Sequence, residues 1–325
     1  MSDPLVRLSL ISLIISLFAG LATASAEGLE LRTTTRMLSD PLGYLFEGQA
    51  EVSSLLGAGT DPHTYQPTRK DVRDLIEADA VAFHGLLFEA QLLDLMKQLD
   101  RRLVVVGAEA FQDDGDLLFA EGVEDPHTWH TPVFWIDTVL DVAAAIAGDL
   151  DIAVPAERVE ILKDAAARAD TWIAGQLDQI PTDQRVIVSA HDAFQYYGQR
   201  YGVDFQPLLG LSTASETKLS RVNELVDLIV ERDLSAVFSE TSVETAGIAA
   251  LREGAERRGV ALRSLPPLYS DALGPKGSAG STYFGMLLEN TQNMVDAMTG
   301  QRPDVDPELL TFLSDHGLID MEASQ

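Results

Sequence analysis

Two of the six histidines in this sequence occur in the same tripeptide, Asp-Pro-His, and it places His63 and His127 directly after a proline. Proline fixes its own φ angle and restricts the conformation of the residue before it, so both histidines follow stiff backbone. A stiff segment that presents an imidazole suits a preorganised metal site, because little conformational freedom is lost on binding. The repeated tripeptide makes both side chains candidate metal ligands.

Two more candidate ligands follow predicted strands in the second half of the chain. His191 comes just after the apolar segment 185–189, and Asp271 lies a few residues after the segment 261–265. Ligands of open α/β sheets bind beyond the carboxyl ends of strands, where we place all four candidates. Three neutral imidazoles and one carboxylate suit a divalent first-row metal, whereas Ca²⁺ and Mg²⁺ prefer oxygen ligands. A single loop histidine is more often a surface residue, so this interpretation depends on all four occurring together.

The elements that must position these residues alternate between strand-like and helix-like patterns, which predicts βα units and mostly parallel sheets. The predicted strands cover 29–35, 51–56, 80–83, 103–106, 185–189, 236–238 and 261–265. The first predicted helix starts at residue 40. The others cover 68–77, 89–99, 193–201, 217–232, 246–258 and 281–298. Thr68 is the expected N-cap of its helix, and a capping box is expected at 213–216.

A long helical pattern between the two halves predicts their connection. It runs from Pro155, a residue suited to the first turn of a helix, to Pro181, which ends it. We therefore predict an α/β protein with two lobes, residues 27–154 and 182–325, joined by a long helix over 155–181.

Residues 1–26 have the pattern of a secretory signal peptide. Arg7 precedes the apolar run 8–21, and Ala24-Ser25-Ala26 is a suitable cleavage site. The run is too short for a comfortable membrane span. We therefore predict cleavage after Ala26 and a mature protein in the periplasm.

Composition excludes several classes of function. The net charge of −28 argues against binding to nucleic acid, because both surfaces would be negative. The sequence contains no cysteine, which excludes disulfides, thiolate ligands, a cysteine nucleophile and a lipid anchor on cysteine.

The sequence resembles the zinc- and manganese-type solute-binding proteins of bacterial ABC transporters. The matching stretches follow the order of that family and cover 59–68, 125–129, 189–196, 240–242 and 268–274. The resemblance implies two α/β lobes with a rigid connecting helix, and one metal ion held between them for delivery to a membrane permease. Carried over residue by residue, it implies the ligands His63, His127, His191 and Asp271. We expect a monomer without enzymatic activity.

The identity of the ion stays open at this point. The family varies between His and Glu at the third ligand position, and His191 is compatible with zinc, manganese and ferrous iron. The acidic segment 113–124, expected to be a mobile surface loop, lacks the histidines of many zinc-type members, which favours manganese. The imidazole-rich ligand set favours zinc, which also binds more tightly than manganese to most nitrogen and oxygen sites.

Three further residues depart from the family pattern or lie close to the expected site. We predict that His84 is a hydrogen-bonded residue at a strand end and that His130 lies at the rim or surface, neither being a ligand. Glu240 is expected to be a structural acid paired with a neighbour. An accessory role at the site stays open for each of them.

The alternative function is a secreted zinc-dependent hydrolase. Three histidines and an aspartate can hold zinc and a nucleophilic water, with Glu240 as general base. The sequence lacks the usual signature of zinc hydrolases, two histidines four residues apart on one helix, which counts against this alternative. A metal-binding surface adhesin is a weaker third possibility, because no anchor is evident.

Overall fold

The computed structural model describes residues 28–99, 103–106, 117–120, 122–243 and 246–320. The predicted signal peptide lies outside these residues, as do positions 113–116 and 121 of the acidic segment. Within the described ranges, no helix has both the length and the apolar character needed to cross a membrane.

A four-stranded parallel sheet forms the first half of the molecule. Its strands, in the order β2-β1-β3-β4, are β1 (Leu29–Thr33), β2 (Ala50–Ser54), β3 (Ala80–Phe83) and β4 (Leu103–Val106). All neighbouring strands are parallel. Strand β3 is buried along its whole length, as expected for a short apolar run inside a parallel sheet. The four predicted strands are confirmed, with ends that differ by at most two residues.

The three helices predicted in the first half appear at the expected positions but not with every expected boundary. Helix α2 (Arg69–Glu77) has the expected N-cap, Thr68, whose side chain forms a capping box with Asp71. Helix α1 (Arg36–Leu45) begins earlier than the predicted residue 40, because it accommodates Pro41 in its interior, where proline is normally unfavourable. Helix α3 (Leu93–Gln98) follows a 3₁₀ turn, Ala90–Leu92.

Two long helices pack together at the centre of the molecule. Helix α5 (Ala156–Leu177) lies where a long helix was predicted over 155–181, and it contacts α1 and α4. Helix α4 (Pro132–Leu150) was not predicted. Its buried residues include Trp135, Ile136, Val139 and Val142, which recur at helical spacing and form one face. Several positions on its exposed face carry apolar or small residues, among them Val133, Ala144 and Ala145, so polar residues do not mark that face in the sequence.

The second half contains a smaller parallel arrangement of strands. Strands β7 (Val186–Ser189) and β8 (Asp204–Pro207) are parallel. Parallel bridges pair Ala236 with Arg263 and Glu240 with Leu268, so the predicted strands 236–238 and 261–265 appear as isolated bridges. The short antiparallel hairpin of β5 (Phe119–Ala120) and β6 (Val123–Glu124) precedes α4.

The described residues of the second half also form the helices α6 (Gln195–Tyr201), α7 (Leu219–Glu231), α8 (Ala246–Arg257), α9 (Tyr283–Thr299) and α10 (Pro307–Asp315). Helix α5 contacts α6, α9 and α10, so it packs against both halves of the chain. The capping box predicted at 213–216 is wrong. Helix α7 begins after Lys218, which makes no side-chain cap, and the hydroxyl of Thr213 donates elsewhere.

Candidate metal centre

The structure brings His63, His127, His191 and Asp271 together in one buried cluster. A candidate ligand atom from each residue lies within 4.8 Å of the others. The exposed fraction is 6% for His63 and at most 1% for the other three. Three imidazoles and one carboxylate therefore face a common point that water barely reaches.

The distances show that the Nε2 atoms of the three rings face the carboxylate. His191 Nε2 lies 3.1 Å from Oδ2 of Asp271, and His63 Nε2 lies 3.8 Å from the same oxygen. His127 Nε2 lies 3.6 Å from the other oxygen, Oδ1, and 3.3 Å from His63 Nε2. Four potential donors of this kind match the number and type that a divalent transition metal accepts.

Three of the four residues follow the ends of parallel strands or bridges, as predicted. His63 lies in the segment after β2, His191 comes shortly after β7, and Asp271 follows the bridge at Leu268. His127 is different, because it follows the antiparallel β5–β6 hairpin and starts the 3₁₀ turn at 128–130. The prediction that all four residues end strands of a parallel sheet is therefore wrong for His127.

A buried carboxylate fixes the ring of His127. Oδ1 of Asp125 accepts hydrogen bonds from both the backbone N–H of His127, at 2.9 Å, and its ring Nδ1, at 2.7 Å. The proton is thereby placed on Nδ1, which leaves the lone pair of Nε2 free to bind a metal. Burial raises the pKa of Asp125 to about 7, while the same burial, and then the neighbouring His191, hold the pKa of His127 well below its usual value.

Glu240 fixes the ring of His191 in a related way. Oε2 of Glu240 contacts Nδ1 of His191, while Oε1 accepts the backbone N–H groups of Ala190 at 2.8 Å and His191 at 3.0 Å. The expectation that Glu240 pairs with a neighbour is confirmed. Burial lowers the pKa of His191, but Asp271 and Glu240 together raise it well above its usual value. In the free protein both ring nitrogens of His191 are therefore protonated, and an ion that binds at Nε2 must displace the proton on that nitrogen.

His63 is held less firmly than the other two histidines. Its backbone N–H donates to Oδ1 of Asp61 at 2.9 Å, and its ring packs edge-on against Phe88. Across the described ranges, no carboxylate contacts its Nδ1. Burial lowers the pKa of His63, Asp271 raises it and His191 lowers it. The net pKa is below its usual value, so the ring is neutral at pH 7.

The buried polar atoms of the cluster fit a cation. Both carboxylate oxygens of Asp271, together with Nε2 of His191, have no hydrogen-bond partner among the described residues. The His191–Asp271 contact is an ion pair without the alignment of a hydrogen bond. Leaving a buried carboxylate without partners is costly, and a divalent cation between these atoms would satisfy them. Burial raises the pKa of Asp271, but the neighbouring His191 has the opposite effect. The net pKa lies below its usual value, so the carboxylate is ionised.

Several side chains that the sequence did not single out hold the segments around 127 and 271 together. The indole N–H of Trp129 donates to the carbonyl oxygen of Ser270 at 2.8 Å, and the hydroxyl of Tyr283 donates to the carbonyl of Trp129 at 2.9 Å. Tyr196 donates to the carbonyl of Asp125 at 2.9 Å. The position of Trp129 next to the second Asp-Pro-His tripeptide was the available signal.

The remaining buried histidines lie beside the cluster and not in it. His84 Nε2 contacts the carbonyl of Pro126 at 2.8 Å, and its ring stacks on Trp135, so the hydrogen-bonded position expected for it is confirmed. His130 is only 1% exposed and packs against Phe194, 4.4 Å between ring centroids. The expectation that His130 lies at the rim or surface is wrong, because the 3₁₀ turn directs it between the two halves of the chain.

Comparison with known proteins agrees with this geometry. The family model for the periplasmic component A of a zinc-uptake complex, ZnuA, matches residues 32–297. The manganese-binding lipoprotein MntA of Bacillus subtilis is 34% identical over 274 residues, which cover 83% of this chain and 90% of the relative. The zinc-binding protein TroA of Treponema pallidum is 32% identical over 283 residues, 86% of this chain and 92% of the relative.

The fold comparison leads to the same group. The solved structure of the periplasmic zinc-binding protein TroA from Treponema pallidum superposes with a TM-score of 0.79 and 31% identity, over 83% of this chain and 99% of that chain. A family match over most of the chain and a relative above 30% identity agree with each other, and the chain therefore belongs to the ZnuA family of metal-binding components of uptake complexes.

Proposed function

We propose that this protein captures one divalent transition-metal ion between its two halves, outside the cytoplasmic membrane, and delivers it to the permease of an ABC importer. The ligands are His63, His127, His191 and Asp271. The observation that carries the proposal is the convergence of three Nε2 atoms and one buried carboxylate within 4.8 Å. The lobes are residues 27–154 and 182–325, with 155–181 as the connection, so each lobe contributes two of the four ligands.

The charge and proton balance of the cluster suit reversible capture. Asp271 supplies one negative charge. The rings of His63 and His127 are already neutral, so they supply lone pairs to the ion without releasing a proton to solvent. His191 releases its Nε2 proton when the ion binds, while Glu240 stays hydrogen-bonded to Nδ1. The bound ion then satisfies the carboxylate oxygens that otherwise have no partner.

The cargo is zinc or manganese, with ferrous iron compatible with the same ligands. Relatives named for manganese and for zinc have similar identity to this chain, 34% and 32%, so similarity alone does not separate the two metals. Three imidazoles favour zinc, which binds more tightly than manganese to most nitrogen and oxygen sites. Competition between Zn²⁺ and Mn²⁺, followed by elemental analysis of protein from its native compartment, decides between them.

The geometry favours a carrier over the alternative of a zinc hydrolase. A hydrolase needs a coordination position for water and a base to activate it. Glu240, the candidate base, already contacts Nδ1 of His191 and two backbone N–H groups, so its oxygens are not directed at the common point. Four protein ligands around one ion leave no position for a reactive water in a tetrahedral site.

Metal stoichiometry in two histidine variants tests the proposal. We expect one ion per chain in the wild-type protein and a loss of affinity of several orders of magnitude in His191→Ala. The matched control is His316→Ala, because His316 is a partly buried histidine of the C-terminal region whose ring contacts the carbonyl of Phe312. It should bind metal as the wild type does. Wild-type stoichiometry and affinity in His191→Ala would contradict the ligand assignment.

A further inference from the structure

The four proposed ligands differ in how firmly the fold holds them. His127 and His191 each have a buried carboxylate on Nδ1, and the segment that carries Asp271 is bonded to the first half through Trp129. His63 has no such carboxylate among the described residues and is the most exposed of the four. The structure therefore contains three firmly held ligands and one that depends on its loop.

The loop that carries His63, residues 57–65, rests on the second half of the chain. The hydroxyl of Thr213 donates to Oδ2 of Asp61 at 2.6 Å, across a sequence separation of 152 residues. In the part of the chain that the structure describes, this is the hydrogen bond that joins the loop to the second half. Asp61 also accepts the backbone N–H of His63 through Oδ1, so one carboxylate links Thr213 directly to the ligand.

Packing also brings the same loop close to the second half at Gly59. Gly59 has a φ of +68°, and a Cβ added there would lie 3.2 Å from the carbonyl oxygen of Thr241. The loop therefore approaches the opposite backbone in a left-handed conformation that favours glycine. Thr213 is part of an exposed turn over 212–215, so the latch lies near the surface, where it can open without disturbing the core.

We propose that Asp61 and Thr213 form a latch that sets how fast the bound ion leaves. The inference rests on the proposed function, since it concerns release from the same four ligands. Release begins when this hydrogen bond breaks and the loop 57–65 carries His63 away from the ion. His127, His191 and Asp271 stay assembled during this step, because the bonds that position them, from Asp125, Glu240 and Trp129, do not involve the loop. Thr213 is a positioning residue and does not touch the ion.

The rate of zinc release tests the latch. Zn²⁺-loaded protein is mixed with an excess of a chromogenic chelator in a stopped-flow instrument, and the dissociation rate is measured for wild type, Thr213→Val, Thr213→Ser and Thr241→Val. Thr213→Val removes the hydroxyl at nearly constant volume, whereas Thr213→Ser keeps it. Thr241→Val is the matched control, because the Thr241 hydroxyl is buried and has no hydrogen-bond partner among the described residues.

We expect Thr213→Val to release zinc about tenfold faster than wild type, equivalent to ~1.4 kcal/mol, as befits a hydrogen bond to a charged acceptor. Thr213→Ser and Thr241→Val should stay within about twofold of wild type. An unchanged rate in Thr213→Val, or equal acceleration in all three variants, overturns the latch. A wild-type protein that binds no Zn²⁺ or Mn²⁺ would instead overturn the proposed function, so the two failures are distinguishable.

Discussion

Replacing Glu240 by Gln should weaken metal binding through the tautomer of His191. The two oxygens of Glu240 have different partners: Oε1 accepts two backbone N–H groups, and Oε2 faces Nδ1 of His191. The amide of glutamine has one oxygen and one NH₂ group. If the oxygen stays on the backbone pair, the NH₂ donates to Nδ1 and the ring proton moves to Nε2, the atom that must bind the ion.

The opposite orientation of the amide is also costly. It keeps the proton on Nδ1 but directs the NH₂ at two buried backbone N–H groups, and each unsatisfied group costs about 1–3 kcal/mol. Metal binding must therefore displace either the favoured tautomer or the favoured amide orientation. We expect the affinity to fall about 10- to 100-fold, or about 1.4–2.7 kcal/mol, which is the usual range for losing a carboxylate behind a ligating histidine.

Asp125→Asn is the matched comparison. In Asp125 the same oxygen, Oδ1, accepts both the backbone N–H and Nδ1–H of His127, while Oδ2 has no hydrogen-bond partner among the described residues. An amide can keep its oxygen at Oδ1 and its NH₂ at Oδ2, so the tautomer of His127 is preserved. We expect the affinity to stay within about threefold, with a loss of stability of about 1–3 kcal/mol from the buried NH₂.

Competition titration against a metal indicator measures both variants, and urea unfolding of the metal-free proteins measures their stability. The reasoning is refuted if Glu240→Gln binds within threefold of wild type. It is refuted equally if Asp125→Asn loses as much affinity as Glu240→Gln, because the two carboxylates would then act through charge and not through the tautomer.

Three further predictions follow from the same contacts. Burial lowers the pKa of His191, but Asp271 and Glu240 raise it well above its usual value, so ion binding at pH 7 should release about one proton and the affinity should rise about tenfold per pH unit. Calorimetry in buffers of different ionisation enthalpy measures this proton release, and a release of zero protons would contradict the prediction. Trp129→Phe leaves the carbonyl of Ser270 without its donor and should lower the free energy of unfolding by at least about 1–3 kcal/mol in urea, whereas an unchanged midpoint would contradict the role given to the indole. N-terminal sequencing of the secreted protein should begin at residue 27, and retention of residues 1–26 would refute the signal-peptide assignment.

The sequence predicted those parts of the fold that have strong local signals. The short apolar strand Ala80–Phe83 and the capped helix after Thr68 appear where they were expected, because buried parallel strands and capping boxes depend on neighbouring residues. Helix α4 and the start of α1 were missed. The exposed face of the first carries apolar and small residues that hide its period in the sequence, and the second contains a proline that tertiary packing tolerates.

The four residues of the buried cluster were selected from the sequence more completely than the contacts that support them. Asp-Pro-His tripeptides and strand-end residues are local patterns, so His63 and His191 could be selected from the chain alone. The donation from Trp129 to Ser270 and the contact between Thr213 and Asp61 join residues that are 141 and 152 positions apart. No local pattern encodes such pairs. The region around Thr213 was even assigned to a helix cap, because Thr and Glu at that spacing have the same composition as a capping box.

X-ray absorption spectroscopy at the metal edge tests the central claim most directly, because it counts the ligand atoms around the bound ion. For the zinc-loaded protein we predict four nitrogen or oxygen neighbours at about 2.0–2.2 Å, with the multiple scattering of three imidazole rings. His63→Ala should reduce the imidazole count to two. A spectrum of the wild-type protein with fewer than three imidazoles, or with an all-oxygen shell, would contradict the account.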